Sequence, residues 1–150
     1  MSKNGFLDLP VRRVVEMTQI SDEDLIGRAK SVVKPRETKH GFKMSEVGCA
    51  LVTDKGNVYV GVSIDTCCGM GFCAEHSAIA AMVTHGENVI KKIVAVIEGG
   101  TPIPPCGRCR EFMSQIDERN INAQVIIGKN RCVKLRDLLP NRWDAKSSST

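Results

Sequence analysis

Two short stretches constrain this chain more than anything else in it: Cys73-Ala74-Glu75, and further along Pro105-Cys106-Gly107-Arg108-Cys109. Together they hold three thiols and one carboxylate. Cys106 and Cys109 are three apart, so at the opening of a helix their sulfurs lie on one face and can share a metal ion. Cys73 is the candidate third ligand. Three protein ligands leave one of the four tetrahedral positions around zinc open to water, whereas a closed structural site takes a fourth Cys or His. Glu75, two residues past the first thiol, is then placed to exchange protons with that water rather than to bind the metal. By itself Cys-x-x-Cys leaves redox and structural-zinc readings open. Joined to Cys-x-Glu, it is far more restrictive.

The 150 residues, 42% hydrophobic and 25% charged, suit one domain with a single core. We expect one zinc-binding domain over residues 1–150, with an irregular N-terminal arm over 1–20 and a disordered Ser-rich tail over 147–150. The net charge of +4 comes from scattered basic residues and aromatics make up 4%, a composition that argues against a nucleic-acid partner. No apolar run is long enough for a membrane span and no signal peptide is recognisable, so no membrane partner is expected. Seven cysteines, an odd number, point to a reducing, cytoplasmic setting rather than a disulfide framework. Cys49 and Cys132 lie in apolar strand-like runs and read as small core residues. Cys67 and Cys68 lie in the loop that approaches Cys73 and read as packing, with a substrate contact as the alternative.

The order of elements follows from period and punctuation. Ser21 caps a helix over 22–34 with Leu25, Ile26, Ala29, Val32 and Val33 on one stripe, ended by Pro35. Residues 35–44 read as a solvated loop. Val47–Thr53 and Val58–Ser63 flank Asp54-Lys55-Gly56-Asn57 and predict an antiparallel hairpin. An Ala-rich helix then runs from Cys73 to a Gly86 cap. Ile93–Ile97 reads as a buried strand, and Pro105 precedes a helix over 106–119. A strand over 123–127 implies a parallel crossover from the preceding strand. Only Gly128-Lys129-Asn130-Arg131 separates it from the next apolar pair, Cys132 and Val133, so the last strand must run antiparallel.

Cys-x-Glu followed by Pro-Cys-x-x-Cys resembles the signature of the zinc-dependent cytidine deaminase superfamily. The resemblance covers roughly residues 45 to 143. Cys rather than His as first ligand, and the short antiparallel link before the last strand, are similar to the small free-nucleoside branch, which includes cytidine deaminases and blasticidin S deaminase. It implies a three-layer α/β/α fold on a mixed five-stranded sheet, Zn2+ on Cys73, Cys106 and Cys109, and Glu75 as the proton carrier. The implied reaction is hydrolytic deamination of a cytosine-type nucleoside, cytidine or deoxycytidine, to the uracil form.

The resemblance also implies substrate contacts. Backbone groups of Phe72 and Ala74 would hold the base, and Ser63 and Asp65 stand where the family carries an Asn-x-Glu that grips the ribose, given one deletion before Cys73. Asp65 as a loop cap is an equal alternative. The family's aromatic before the first strand corresponds to Ser45, with Glu46 beside it, so a stacking contact is lost. His76 replaces a common Arg and can donate to a ligand sulfur, or simply sit on the helix flank. Trp143 corresponds to an aromatic that reaches a neighbouring subunit's site, which implies a homotetramer; covering the core is its other reading. A blasticidin-S-like nucleoside is the alternative substrate. From another class, a non-catalytic zinc-stabilised binding domain has no need of Glu75.

Overall fold

The structure is a computed structural model that describes residues 19–145. Most of the predicted arm over 1–20 and the tail over 147–150 lie outside the described residues. The first element, α1 (Asp22–Ser31), opens on Ser21, whose hydroxyl accepts from the Asp24 amide at 3.1 Å. Three acidic residues fill its first turn and Arg28 and Lys30 its last, complementing the helix dipole. It is shorter than predicted. The Val32 carbonyl and Lys34 amide leave the helix to bond the Ser45 hydroxyl, and Pro35 disfavours a helical Lys34.

The chain continues through β1 (Arg36–Glu37), β2 (Lys43–Thr53), β3 (Val58–Asp65), α2 (Ala74–Thr84), β4 (Ile90–Ile97) and β5 (Pro102–Ile103). It ends with α3 (Gly107–Ile116), β6 (Gln124–Gly128), β7 (Arg131–Lys134) and α4 (Leu135–Leu138). The loop expected over 35–44 is partly sheet, since Arg36 and Glu37 pair antiparallel with Met44 and Lys43. The five longer strands lie in the order β3-β2-β4-β6-β7, with β1 added beside β2 and β5 beside β4. β4 and β6 are parallel across the α3 connection, and β7 is antiparallel to β6. The four-residue link before β7 forces that reversal, as expected.

Alternation along the central strands sorts their side chains into two layers. Ala50, Val52, Val94, Val96 and Ile126 pack with Leu25 and Ala29 of α1. On the other face Cys49, Leu51, Ile93 and Val125 pack with Ile79 and Met82 of α2, Met113 of α3 and Leu135 of α4. The arrangement is α/β/α. Close approach requires glycine on both faces: a Cβ on Gly48 would come 2.2 Å from the Ala29 carbonyl oxygen, and one on Gly61 would come 2.3 Å from the Ala78 nitrogen. Cys49 is fully buried, as expected, but Cys132 is exposed. It pairs with Ile126 on the α1 face, and α1 lies over β2 and β4, leaving the β7 edge uncovered.

Candidate active site

The two cysteine stretches meet at the end of the sheet where β4 finishes. Gly99 and Gly100, both at positive φ, reverse the chain after β4, and β5 runs back along it before Pro105 delivers Cys106. Cys73 is the N-cap of α2 and Cys106 the N-cap of α3, with Cys109 in the first turn behind it. The Cys73 thiol makes no cap hydrogen bond to α2, whereas the Cys106 thiol is held by the Cys109 amide. Both helix N-termini favour negative charge where the thiols gather.

The Sγ atoms of Cys73 and Cys106 are 3.5 Å apart and those of Cys106 and Cys109 3.4 Å, and all three lie within 4.8 Å of one another. Three thiolates at ~2.3 Å from one tetrahedral zinc stand roughly 3.8 Å apart, so the triangle fits zinc with a small expansion. It is too wide for disulfides. Burial pushes the Cys109 and Cys73 thiols above the usual thiol range, with the Glu75 charge as a further cause. Burial also raises Cys106, but hydrogen bonds from the Cys109 amide and the two neighbouring thiols outweigh it and hold Cys106 low. Metal binding must displace protons here.

Glu75 is 4% exposed. Burial raises its carboxyl above the ordinary range, outweighing its own backbone amide and the Cys109 thiol, which pull the other way. A raised carboxyl in the first turn of α2 suits a group that both takes and returns a proton. His76 Nδ1 lies 3.5 Å from Cys109 Sγ. Its ring stacks on Phe112 at 4.3 Å and 4°. Burial, with the Arg108 charge, holds its pKa down.

A cleft of about 340 Å³ opens beside Cys73, lined by Ser63, Asp65, Phe72 and Arg108 among others. The Ser63 hydroxyl accepts from the Val47 amide at 3.0 Å, leaving its proton to donate. Phe72 lines the cleft, but its backbone amide and carbonyl pair with Ile64 at 2.8 and 3.0 Å, so one carbonyl lone pair remains for a base. Ala74 is buried at the start of α2, where its amide has no intrahelical partner. Trp143 stands elsewhere: it is 78% exposed and its Nε1 donates to Glu111 Oε1 at 2.7 Å on α3. Cys67 and Cys68 are exposed in a one-turn 3-10 segment, not packed as expected. Chain direction turns outward there, with Cys68 at φ 59° and Gly69 at φ 67°.

The cleft holds residues that sequence reasoning passed over. Glu46 and Thr66 line it, and the Thr66 hydroxyl is buried with no hydrogen-bond partner among the described residues. Arg110 donates through Nε to the Pro105 carbonyl at 2.8 Å and through a terminal nitrogen to the Leu138 carbonyl at 3.1 Å. It thus braces the peptide that precedes Cys106.

Residues 20–125 match the family model described as the cytidine and deoxycytidylate deaminase zinc-binding region. The chain belongs to this deaminase family. A cytidine deaminase of Halalkalibacterium halodurans is 26% identical to this family member over 121 residues, covering 78% of this chain and 92% of the relative. One from Sporosarcina psychrophila is 32% identical over 95 residues, covering 62% and 68%. Among solved structures, the Mycobacterium tuberculosis cytidine deaminase superposes with TM-score 0.69 at 25% identity, over 83% of this chain and 98% of that one. That of Burkholderia pseudomallei gives TM-score 0.66 at 28% identity, over 81% and 98%. The three thiols and Glu75 of this deaminase-family chain lie inside the matched region.

Proposed function

We propose that the protein is a hydrolytic deaminase of cytosine-type nucleosides, converting cytidine or deoxycytidine and water to the uracil nucleoside and ammonia. The observation that carries this reading is a buried carboxylate, Glu75, beside three thiols spaced for zinc. Cys73, Cys106 and Cys109 are the residues that would hold the ion. Zinc, when bound, acts as a Lewis acid that acidifies a water at its open position. Glu75 accepts the proton of the attacking water and delivers it to ring N3, which makes C4 a better acceptor. It then carries a proton to the amino group, which leaves as ammonia. The Ala74 amide and Phe72 carbonyl orient the base, Ser63 donates from the β3 end, and Asp65 accepts from sugar hydroxyls. His76 fixes and tunes Cys109 through the sulfur contact.

The test is ammonia release by zinc-loaded protein from cytidine, deoxycytidine and cytosine, with Glu75→Gln as the control. Loss of this proton carrier should lower kcat by about 10² to 10⁴ while zinc content stays at one ion per chain. A variant that keeps its rate removes Glu75 from the chemistry. A non-catalytic zinc-stabilised domain is disfavoured by the burial of Glu75, because a carboxylate with no task is costly to bury. A blasticidin-S-like nucleoside remains the alternative substrate, favoured by the absence of an aromatic at Ser45 and the shortened segment between Ser63 and Cys73. Trp143, exposed and hydrogen-bonded to Glu111 of α3, is the residue we assign to a neighbouring subunit in a homotetramer. A cytoplasmic location suits seven unpaired thiols. Among the described residues no helix is long and apolar enough to cross a membrane.

A further inference from the structure

From Val47 onward β2 alternates regularly. Val47, Cys49 and Leu51 face the layer of α2 and α3, while Gly48, Ala50 and Val52 face α1. Continued backwards, that alternation would put Ser45 on the cleft face and Glu46 under α1. The opposite is found. Ser45 has φ 62°, the left-handed region that residues with a Cβ rarely enter. It is 1% exposed, donates its hydroxyl to the Val32 carbonyl at 2.6 Å and accepts from the Lys34 amide at 3.0 Å. The inversion coincides with a register shift against β3. Met44 pairs with Ile64 and Gly48 with Val62, so residues 45, 46 and 47 stand opposite Ser63 alone.

This bulge turns Glu46 into the cleft, where it joins Asp65 and the Thr66 hydroxyl, which has no partner among the described residues. Lys43 pairs with Glu46 at 3.3 Å, but both side chains are about half exposed, at 55% and 47%, and such pairs are weak and screened. Lys43 does not line the cleft. Arg108 does, and its guanidinium donates to the Gly71 carbonyl at 3.4 Å beside the metal loops. Arg108 lies between Cys106 and Cys109 in the chain and its charge bears on His76, which places it at the end of the cleft where the reacting ring would sit. What the cleft offers the part of a nucleoside away from the reacting ring is therefore two carboxylates and one waiting hydroxyl.

We infer that Glu46 is a specificity-determining residue, which with Asp65 selects nucleosides whose sugar end is neutral or cationic and rejects those carrying a 5′-phosphate. The inference rests on the deaminase reading above. A neutral sugar donates hydroxyl protons to the carboxylates, a protonated amine does so with charge assistance, and a phosphate meets like charge.

The test compares cytidine, 5′-amino-5′-deoxycytidine and cytidine 5′-monophosphate as substrates of the zinc-loaded full chain, in wild type, Glu46→Gln and Glu46→Lys. Binding of the corresponding uracil compounds by calorimetry provides a readout independent of turnover. The wild type should favour the amino compound over cytidine and cytidine over the monophosphate. Glu46→Lys should raise the monophosphate-to-cytidine ratio of kcat/KM by about tenfold or more and reverse the order of the two charged ligands in binding. Glu46→Gln should fall between. If both ratios stay within twofold across the three proteins while cytidine is still deaminated, Glu46 does not read the sugar end and the inference fails alone. If no cytosine nucleoside is deaminated and no uracil compound binds, the deaminase reading fails and this inference with it.

Discussion

Glu87 is buried beside the β2–β3 turn, and its Oε1 accepts from Asn57 Nδ2 at 2.6 Å and from the Tyr59 hydroxyl at 2.7 Å. Burial raises its carboxyl, but the groups of Thr53, Tyr59 and Asn57, with the Lys55 charge, outweigh burial and hold it below the usual range. Tyr59 is pushed up to about 12 by burial, by its bond to Glu87 and by that residue's charge. The signs differ. Glu87 stabilises the fold above its unfolded pKa, and that contribution is lost as pH falls through its lower folded value. Tyr59 contributes fully below its unfolded pKa of about 10, and the contribution is lost as pH rises towards about 12. Glu87→Gln should flatten the acid limb of stability against pH, measured by thermal melting between about pH 6 and 3. Tyr59 is the one tyrosine in the chain, so its absorbance titration reports it alone. That midpoint should move down in the same variant. At this scale the sequence made the gathering of Cys73, Cys106 and Cys109 legible, because their type and spacing admit few alternatives. Glu46 was hidden, since its direction depends on one left-handed residue that strand alternation does not foresee.

Two glycines of opposite character show how the elements are held together. Gly61 lies where β3 passes under α2, and a Cβ there would meet the Ala78 nitrogen at 2.3 Å and Ser77 Cβ at 2.5 Å. Gly27 lies inside α1 with nothing within 4 Å of the corresponding point. Gly61→Ala should therefore destabilise by about 1–3 kcal/mol, because backbone must move to make room. Gly27→Ala should stabilise by about 0.5–1 kcal/mol through helix propensity and a less free unfolded chain. Urea unfolding of the two variants checks both signs. The elements with strong periodicity or caps, α1, α2 and the β2–β3 hairpin, were legible in the sequence. β1 and β5 were not, because a two-residue strand has no period of its own and is defined by its partner. Cys132 was misjudged for a related reason: an apolar strand pattern does not reveal that the overlying helix stops short of that edge.

For the molecule as a whole, the triangle of thiols is a junction between segments that otherwise belong to different parts of the sheet. The two side-chain layers are complete without it, since neither core cluster depends on a metal. Removal of zinc should leave the far-ultraviolet circular dichroism largely intact while lowering Tm. Free zinc at 100 times its Kd contributes about 2.7 kcal/mol, or roughly 5–10 °C for a chain of this size. Calorimetric scans with and without a chelator, under reducing conditions, measure the difference. A chain that melts at the same temperature in both would show that the triangle of thiols holds no metal in solution.

Arg110 ties the carbonyl of Pro105 to that of Leu138, and so makes the late part of the chain a mechanical support for a loop it never touches in sequence. A fusion partner, an affinity tag or a proteolytic cut near Leu138 is then not a remote change. It removes one anchor of the guanidinium that steadies the peptide before Cys106, and so loosens the loop that carries that thiol to the other two.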